Sequence, residues 1–338
     1  MGYQVRRESR AATNGLDGTV VVLAGDRCQA EIWPALGCNC YHWHVRDKDT
    51  QINLLYAADD LFHDDRPTRS GIPILFPFPN RIRGCVYHWQ GKEYRLPHND
   101  SSGYNSIHGF ACRTPWRCLD EGADADSAWL TAEFHCSQDA ADCLSLWPAD
   151  HRLRVTFRLF ENRLRLDACV ENPGTSPLPF GLGFHPYFGT PMAPGGTERD
   201  CFVEAPAREF WQLDQCLPTG ERKPVDEPRN LTQPRCCSDL KLDDVLVLDR
   251  DGRTPRRDGL LSCGRLRQGP WTLQLWASPA FRELVVFTPV HRRAFCLEPY
   301  TCVTDAINLQ QKGIDAGLLI LQPNETWQAV FEMELVKS

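Results

Sequence analysis

His151-Arg152-Leu153-Arg154-Val155-Thr156-Phe157-Arg158-Leu159-Phe160, continued by Glu161-Asn162 and then Arg163-Leu164-Arg165-Leu166-Asp167-Ala168-Cys169-Val170-Glu171, is the stretch whose reading decides the fold. Leu153, Val155, Phe157 and Leu159 fall on one side, and Arg152, Arg154 and Arg158 on the other. That period of two belongs to a strand with one buried face. Leu164, Leu166, Ala168 and Val170 repeat the pattern after Glu161-Asn162, which reads as a hairpin turn.

The same alternation recurs outward in both directions. Trp129 to Cys136, Trp271 to Ala277 and Thr326 to Leu335 read as half-buried strands, and Thr19 to Ala24 and Leu284 to Thr288 as deeply buried ones. Helical periodicity is confined to short stretches near Asp59 to His63 and Asp139 to Leu144. Pro191 to Asp200 and Pro218 to Pro234 are polar and proline-rich and read as surface loops. With no repeat, no low-complexity linker and no βαβ alternation, the chain predicts an all-β fold. The expectation is one large β-sandwich over residues 1–338 with few short helices.

At 338 residues the chain is long enough to bury a core without a metal or disulfide staple. The net charge of −7 and the absence of a dense Lys/Arg block set nucleic acid and anionic membranes aside as partners. No apolar run is long enough to span a bilayer, and the start Met1-Gly2-Tyr3-Gln4-Val5-Arg6-Arg7 lacks the apolar core of a signal peptide. The 16 cysteines contain no C-x-x-C pair, so free buried thiols in a cytoplasmic protein are expected rather than a zinc site.

Five segments carry more chemistry than a sandwich requires. Gly71 to Gly84 holds prolines at 73, 77 and 79 inside an apolar run, which excludes an ordinary central strand, and it ends on Asn80 and Arg81. An amide and a planar guanidinium suit neighbouring hydroxyls; the plainer reading is a rigid connector. His108-Gly109-Phe110 offers an imidazole beside a glycine that permits close backbone approach. Gly181-Leu182-Gly183-Phe184-His185-Pro186-Tyr187-Phe188 sets His185, a side chain suited to proton transfer, among aromatics, although alone a core histidine is the commoner case. Lys241-Leu242-Asp243-Asp244 can aim one carboxylate inward or form a solvated turn. In Phe295-Cys296-Leu297-Glu298-Pro299-Tyr300, Glu298 ends an apolar strand, where a carboxylate must be paired, hydrogen-bonded or functional.

Taken in order, Pro79-Asn80-Arg81-Ile82, His108-Gly109-Phe110, His185-Pro186-Tyr187-Phe188, Leu242-Asp243 and Leu297-Glu298-Pro299 resemble the aldose 1-epimerase (galactose mutarotase) family. The ending Glu298-Pro299-Tyr300-Thr301-Cys302 with Asp305-Ala306-Ile307-Asn308 resembles its broad bacterial branch. The resemblance implies a galactose mutarotase-like sandwich. It also implies Glu298 as general base, His185 as general acid, and Asn80, Arg81, His108 and Asp243 as ligands of sugar hydroxyls. The implied reaction opens and recloses an aldose ring, which needs a proton off O1 and a proton onto the ring oxygen, and neither a metal nor a redox cofactor. One departure concerns substrate: Val285 stands where galactose mutarotases carry a sugar-contacting glutamine. Arg81, Arg83 and Arg113 would suit an anionic sugar, but for Arg83 and Arg113 solvent or pairing to acids is the favoured reading. Two rivals remain: a non-catalytic sugar-binding protein, and a glycoside hydrolase using Asp243 with Glu298.

Overall fold

The structure, a computed structural model, describes residues 2–64, 66–251 and 254–337. The deciding hairpin forms as its alternation requires. Arg152–Leu159 pairs antiparallel with Arg163–Glu171, Leu153 opposite Val170 and Phe157 opposite Leu166. The Phe160 N–H donates to the Arg163 carbonyl at 2.8 Å and closes the turn. Every apolar residue of the two strands' inner face is buried, and the arginines between them are not.

The hairpin lies inside a ten-stranded sheet, flanked by Ala128–His135 on one side and Thr326–Lys337 on the other. An eight-stranded sheet faces it. Its order runs Leu217–Pro224, Ala207–Asp214, Asp243–Leu248, Glu283–Phe287, Ala294–Tyr300, Gly183–Phe184, Ile74–Leu75, with Tyr187–Gly189 also paired to Ala294–Tyr300. Side chains from the two sheets meet in one buried cluster. Phe184 stacks on Phe331 with ring centroids 5.5 Å apart, and Leu284, Val286 and Leu297 share the cluster with Leu166, Leu275 and Met333. Burial of each such side chain is worth about 1.5–3 kcal/mol, so this interface is what holds the sheets face to face. A five-stranded meander over residues 4–53 adds a further sheet. The fold is therefore the predicted all-β sandwich.

Helices are few: Cys136–Asp139, Ala306–Gln311 and several 3-10 turns, including Leu61–His63 and Ala141–Leu146 near the two places expected. No helix among the described residues is long and apolar enough to cross a membrane. All 16 cysteines are free, and none is fully exposed. One expectation is corrected. Within the predicted loop Pro218 to Pro234, Leu217–Pro224 is a strand. It ends its sheet and pairs only with Ala207–Asp214, which is where proline's missing N–H and a polar sequence are tolerated.

The eight-stranded sheet has two differently furnished faces. Along Ala294–Tyr300, Phe295 and Leu297 enter the main core, whereas Cys296, Glu298 and Tyr300 point the other way. On the adjoining strands Val245 and Val285 share that second face. The second face is covered by chain rather than solvent, since all seven residues of Ala294–Tyr300 are buried.

Candidate active site

The register of the eight-stranded sheet builds the site. Gly183 lies opposite Tyr300, and Tyr187 opposite Cys296. Between these two pairs, the antiparallel count sets His185 opposite Glu298, and the period of two turns both side chains to the same face. Pro186 has no N–H and interrupts the pairing there. The His185 N–H is bound instead to the Pro73 carbonyl at 3.0 Å, which ties the histidine to the proline-rich segment. The result is a contact of 3.3 Å between His185 Nε2 and Glu298 Oε1, with both side chains buried.

The second half of the site is another cross-strand pair. Arg81 lies opposite Ile107, so Asn80 and His108 are neighbours one step further on. The His108 N–H donates to the Asn80 carbonyl at 2.9 Å, and the Asn80 N–H donates to His108 Nδ1 at 3.2 Å. Both residues hold left-handed backbones, with φ of 56° and 68°. Because Nδ1 accepts, the neutral ring carries its proton on Nε2. The His108 ring stands edge-on to His185 at 5.7 Å. Arg81 Nη1 donates to Asn80 Oδ1 at 3.1 Å, and its Nε lies 3.4 Å from the Asp100 carboxylate. Asp243 begins its strand at an exposed position, 3.8 Å from the Cys216 thiol.

Burial sets the charges. It pushes Glu298 well above the ordinary carboxylate range and the Asp243 charge adds to this, while the Tyr300 hydroxyl and the Arg81 charge work against it. It lowers His185 to about 3 and carries His108 well below its ordinary value, with the His185, Arg81 and Arg113 charges adding to the latter shift. Asp243 is open to solvent at its strand end yet flanked by protein on its inner side, and that partial loss of water, with the Asp244 charge, raises it against the pull of Arg81 and the Cys216 thiol. Asp100 moves the other way, to about 2: burial raises it, but hydrogen bonds from Asn105 and Ser102 and the Arg81 charge outweigh that. His185 Nδ1 and Glu298 Oε1 are buried without a hydrogen-bond partner, so polar capacity is held open at the pair.

All six predicted residues can thus be located. His185 and Glu298 touch, Asn80, Arg81 and His108 form one linked group beside them, and Asp243 acts on Glu298 through its charge. Gly109 differs from its expected role. A Cβ there would meet the Phe76 carbonyl oxygen at 2.3 Å, so its close approach is to the chain's own backbone. Val285 packs opposite Glu298 as an apolar wall. Arg83 faces Asp305 and Arg113 is exposed, as favoured from sequence, and Arg81 lies beside Asp100.

Sequence reasoning missed Tyr300 and Asp100. Tyr300 donates a hydrogen bond to Glu298 Oε2, and its place two residues after Glu298 on a strand was a usable signal. Asp100 sits in a polar turn with no such signal. His185, Cys296 and Glu298 bring a nitrogen, a sulfur and an oxygen within 4.8 Å of one another, but a metal would need Cys296 as its thiolate. Burial and the Glu298 and Asp243 charges hold the Cys296 thiol protonated. A cavity of about 290 Å³ lies elsewhere, lined by Glu204, Arg208, Asp249 and Gln274, and contains none of the six residues.

Residues 19–334 match the family model described as aldose 1-epimerase. The uncharacterized protein YihR of Escherichia coli K12 is 26% identical over 265 residues, 77% of each chain. A galactose mutarotase-like protein from Clostridium acetobutylicum superimposes with a TM-score of 0.88 at 21% identity, over 100% of this chain and 99% of that one. The galactose 1-epimerase of Lactobacillus acidophilus superimposes at 0.78 and 15% identity, over 100% of both chains. The sandwich, the register that brings His185 onto Glu298 and the match over residues 19–334 lead to one assignment: the chain belongs to the aldose 1-epimerase family.

Proposed function

We propose that this protein interconverts the α and β anomers of an aldose, with Glu298 as the base and His185 as the acid. The observation that carries the proposal is the buried 3.3 Å contact between His185 Nε2 and Glu298 Oε1 beside a group of hydroxyl-binding side chains. A buried carboxyl and imidazole in contact are held most cheaply with one proton between them. Mutarotation requires one proton to leave O1 and one to reach the ring oxygen. The pair is competent for this when the shared proton sits on His185, and it returns to the same proton count after the transfer.

Glu298 Oε2 is engaged by Tyr300, so Oε1 is the oxygen that receives the O1 proton. His185 donates to the ring oxygen, the C1–O5 bond breaks, and rotation about C1–C2 presents the other face of the aldehyde. Closure reverses both transfers. Arg81, Asn80 and the Nε2–H of His108 supply donors for hydroxyls, and Asp243 supplies an acceptor. Arg81 and His108 also oppose negative charge on sugar oxygen during opening. The apolar wall at Val285 removes one donor from the sugar face, so selectivity for galactose over glucose should be weak.

Anomeric exchange measured by NMR saturation transfer over a panel of neutral and anionic aldoses tests the reading. Exchange faster than buffer for at least one aldose supports it. Saturable binding of an aldose with no gain in exchange would instead mark a sugar-binding protein.

A further inference from the structure

Tyr300 and Gly183 form a cross-strand pair immediately beside the His185–Glu298 pair. Tyr300 is fully buried and its hydroxyl donates to Glu298 Oε2. Gly183 is in a strand and has no left-handed φ to explain it. What it lacks is a Cβ: one placed there would meet Tyr300 Cδ1 at 2.5 Å and Cε1 at 2.7 Å, and Pro79 Cβ at 2.8 Å. The missing side chain is therefore the space through which the Tyr300 ring reaches Glu298, an aromatic lying across a strand glycine.

We propose that Gly183 and Tyr300 act together as a positioning device for Glu298: the glycine admits the ring, and the phenol binds Oε2 so that Oε1 alone faces His185 and the sugar. The proposal rests on Glu298 serving as the base. The Tyr300 hydroxyl is bonded to Glu298, so Tyr300 acts through Glu298 as a positioning residue and is no catalytic residue. A phenol that donates to a carboxylate favours the charged form, which is the form a base needs. Without the phenol, Glu298 is held by burial alone, gives up its base form at higher pH, and can turn either oxygen toward His185.

Tyr300→Phe keeps the ring and deletes the donor. The expected result is an alkaline limb of the kcat profile moved up by about one pH unit, a fall in kcat near neutrality of about tenfold, and an unchanged KM. Gly183→Ala should move the same limb in the same direction by displacing the ring. The double variant should lie no further than Tyr300→Phe, because both changes remove one contact. The Glu298 carboxyl titration, followed by carbon-13 NMR of glutamate-labelled protein, reads the device without any turnover. A higher titration point in Tyr300→Phe supports the device even if the wild type catalyses no anomer exchange, which would count against the proposed reaction alone. An unchanged titration point in a folded Tyr300→Phe protein overturns it, as does a Gly183→Ala shift that adds in full to that of Tyr300→Phe.

Discussion

At the scale of single residues, the two groups proposed to react have opposite tasks in one environment. Burial drives Glu298 and His185 toward their neutral forms together. The sign of the pH dependence follows from the one-proton working state of the pair: a second proton joins only as pH falls through the lowered His185 point, and the last proton leaves only as pH rises through the raised Glu298 point. The rate is therefore lost on alkalinisation, with a midpoint above the 4.5 of an ordinary glutamate, and a rate that climbs steadily from pH 4 to pH 8 would contradict this. His185→Asn removes the proton donor while keeping a polar side chain of similar size, and kcat should fall by about a hundredfold or more. A variant retaining full rate would move the acid role to His108. Both reacting residues were legible in the sequence because their types and local motifs are distinctive. Their 3.3 Å contact was not, because it depends on a register between segments more than a hundred residues apart.

At the scale of elements, the strand Ala294–Tyr300 divides its side chains between the core and the site. Its neighbour Glu283–Phe287 begins with a fully buried carboxyl, Glu283, which lies opposite Tyr300. Trp211 Nε1 donates to Glu283 Oε2 at 3.0 Å, and Arg282 Nε lies 3.4 Å from Oε1. Burial raises Glu283 to about 7, against the Trp211 hydrogen bond and the charges of Arg282, Arg222 and Arg250. A raised carboxyl favours the fold in its protonated form, so its contribution is full below about pH 4.5 and lost as pH rises through about 7. Glu283→Gln should accordingly stabilise the protein at pH 8 by about 1–3 kcal/mol and give little at pH 4, as read by urea unfolding at both values. Destabilisation at pH 8 would show that the arginines hold Glu283 ionised at a net gain. The strands of the deciding hairpin were legible because one face is wholly apolar. The edge strand Leu217–Pro224 was not, since an edge strand has little apolar face to show. The six-residue helix Ala306–Gln311 is too short to display a helical period, and Arg81 binds the Asp305 N–H before it rather than any local cap.

At the scale of the whole molecule, stability rests on the interface between the two large sheets. Phe331 is fully buried and stacks on Phe184 across it. Phe331→Ala should lower the unfolding free energy by about 3–5 kcal/mol, measured by urea titration at neutral pH. The thiols contribute as small apolar groups, so a reducing agent should leave the melting temperature unchanged; a drop would reveal a disulfide. A sandwich was legible from alternation, but the order of its strands was not. Nothing local in Arg163–Glu171 announces that Thr326–Lys337 lies beside it. The site inherits that non-local order, since the proposed base and acid, Glu298 and His185, meet only through the pairing of distant strands. The most direct measurement is polarimetry of freshly dissolved α-glucose and α-galactose with wild-type protein and Glu298→Gln. The account predicts that the wild type speeds the decay of rotation for at least one sugar, and that the folded variant leaves it at the rate of buffer. Equal acceleration by both proteins would contradict it.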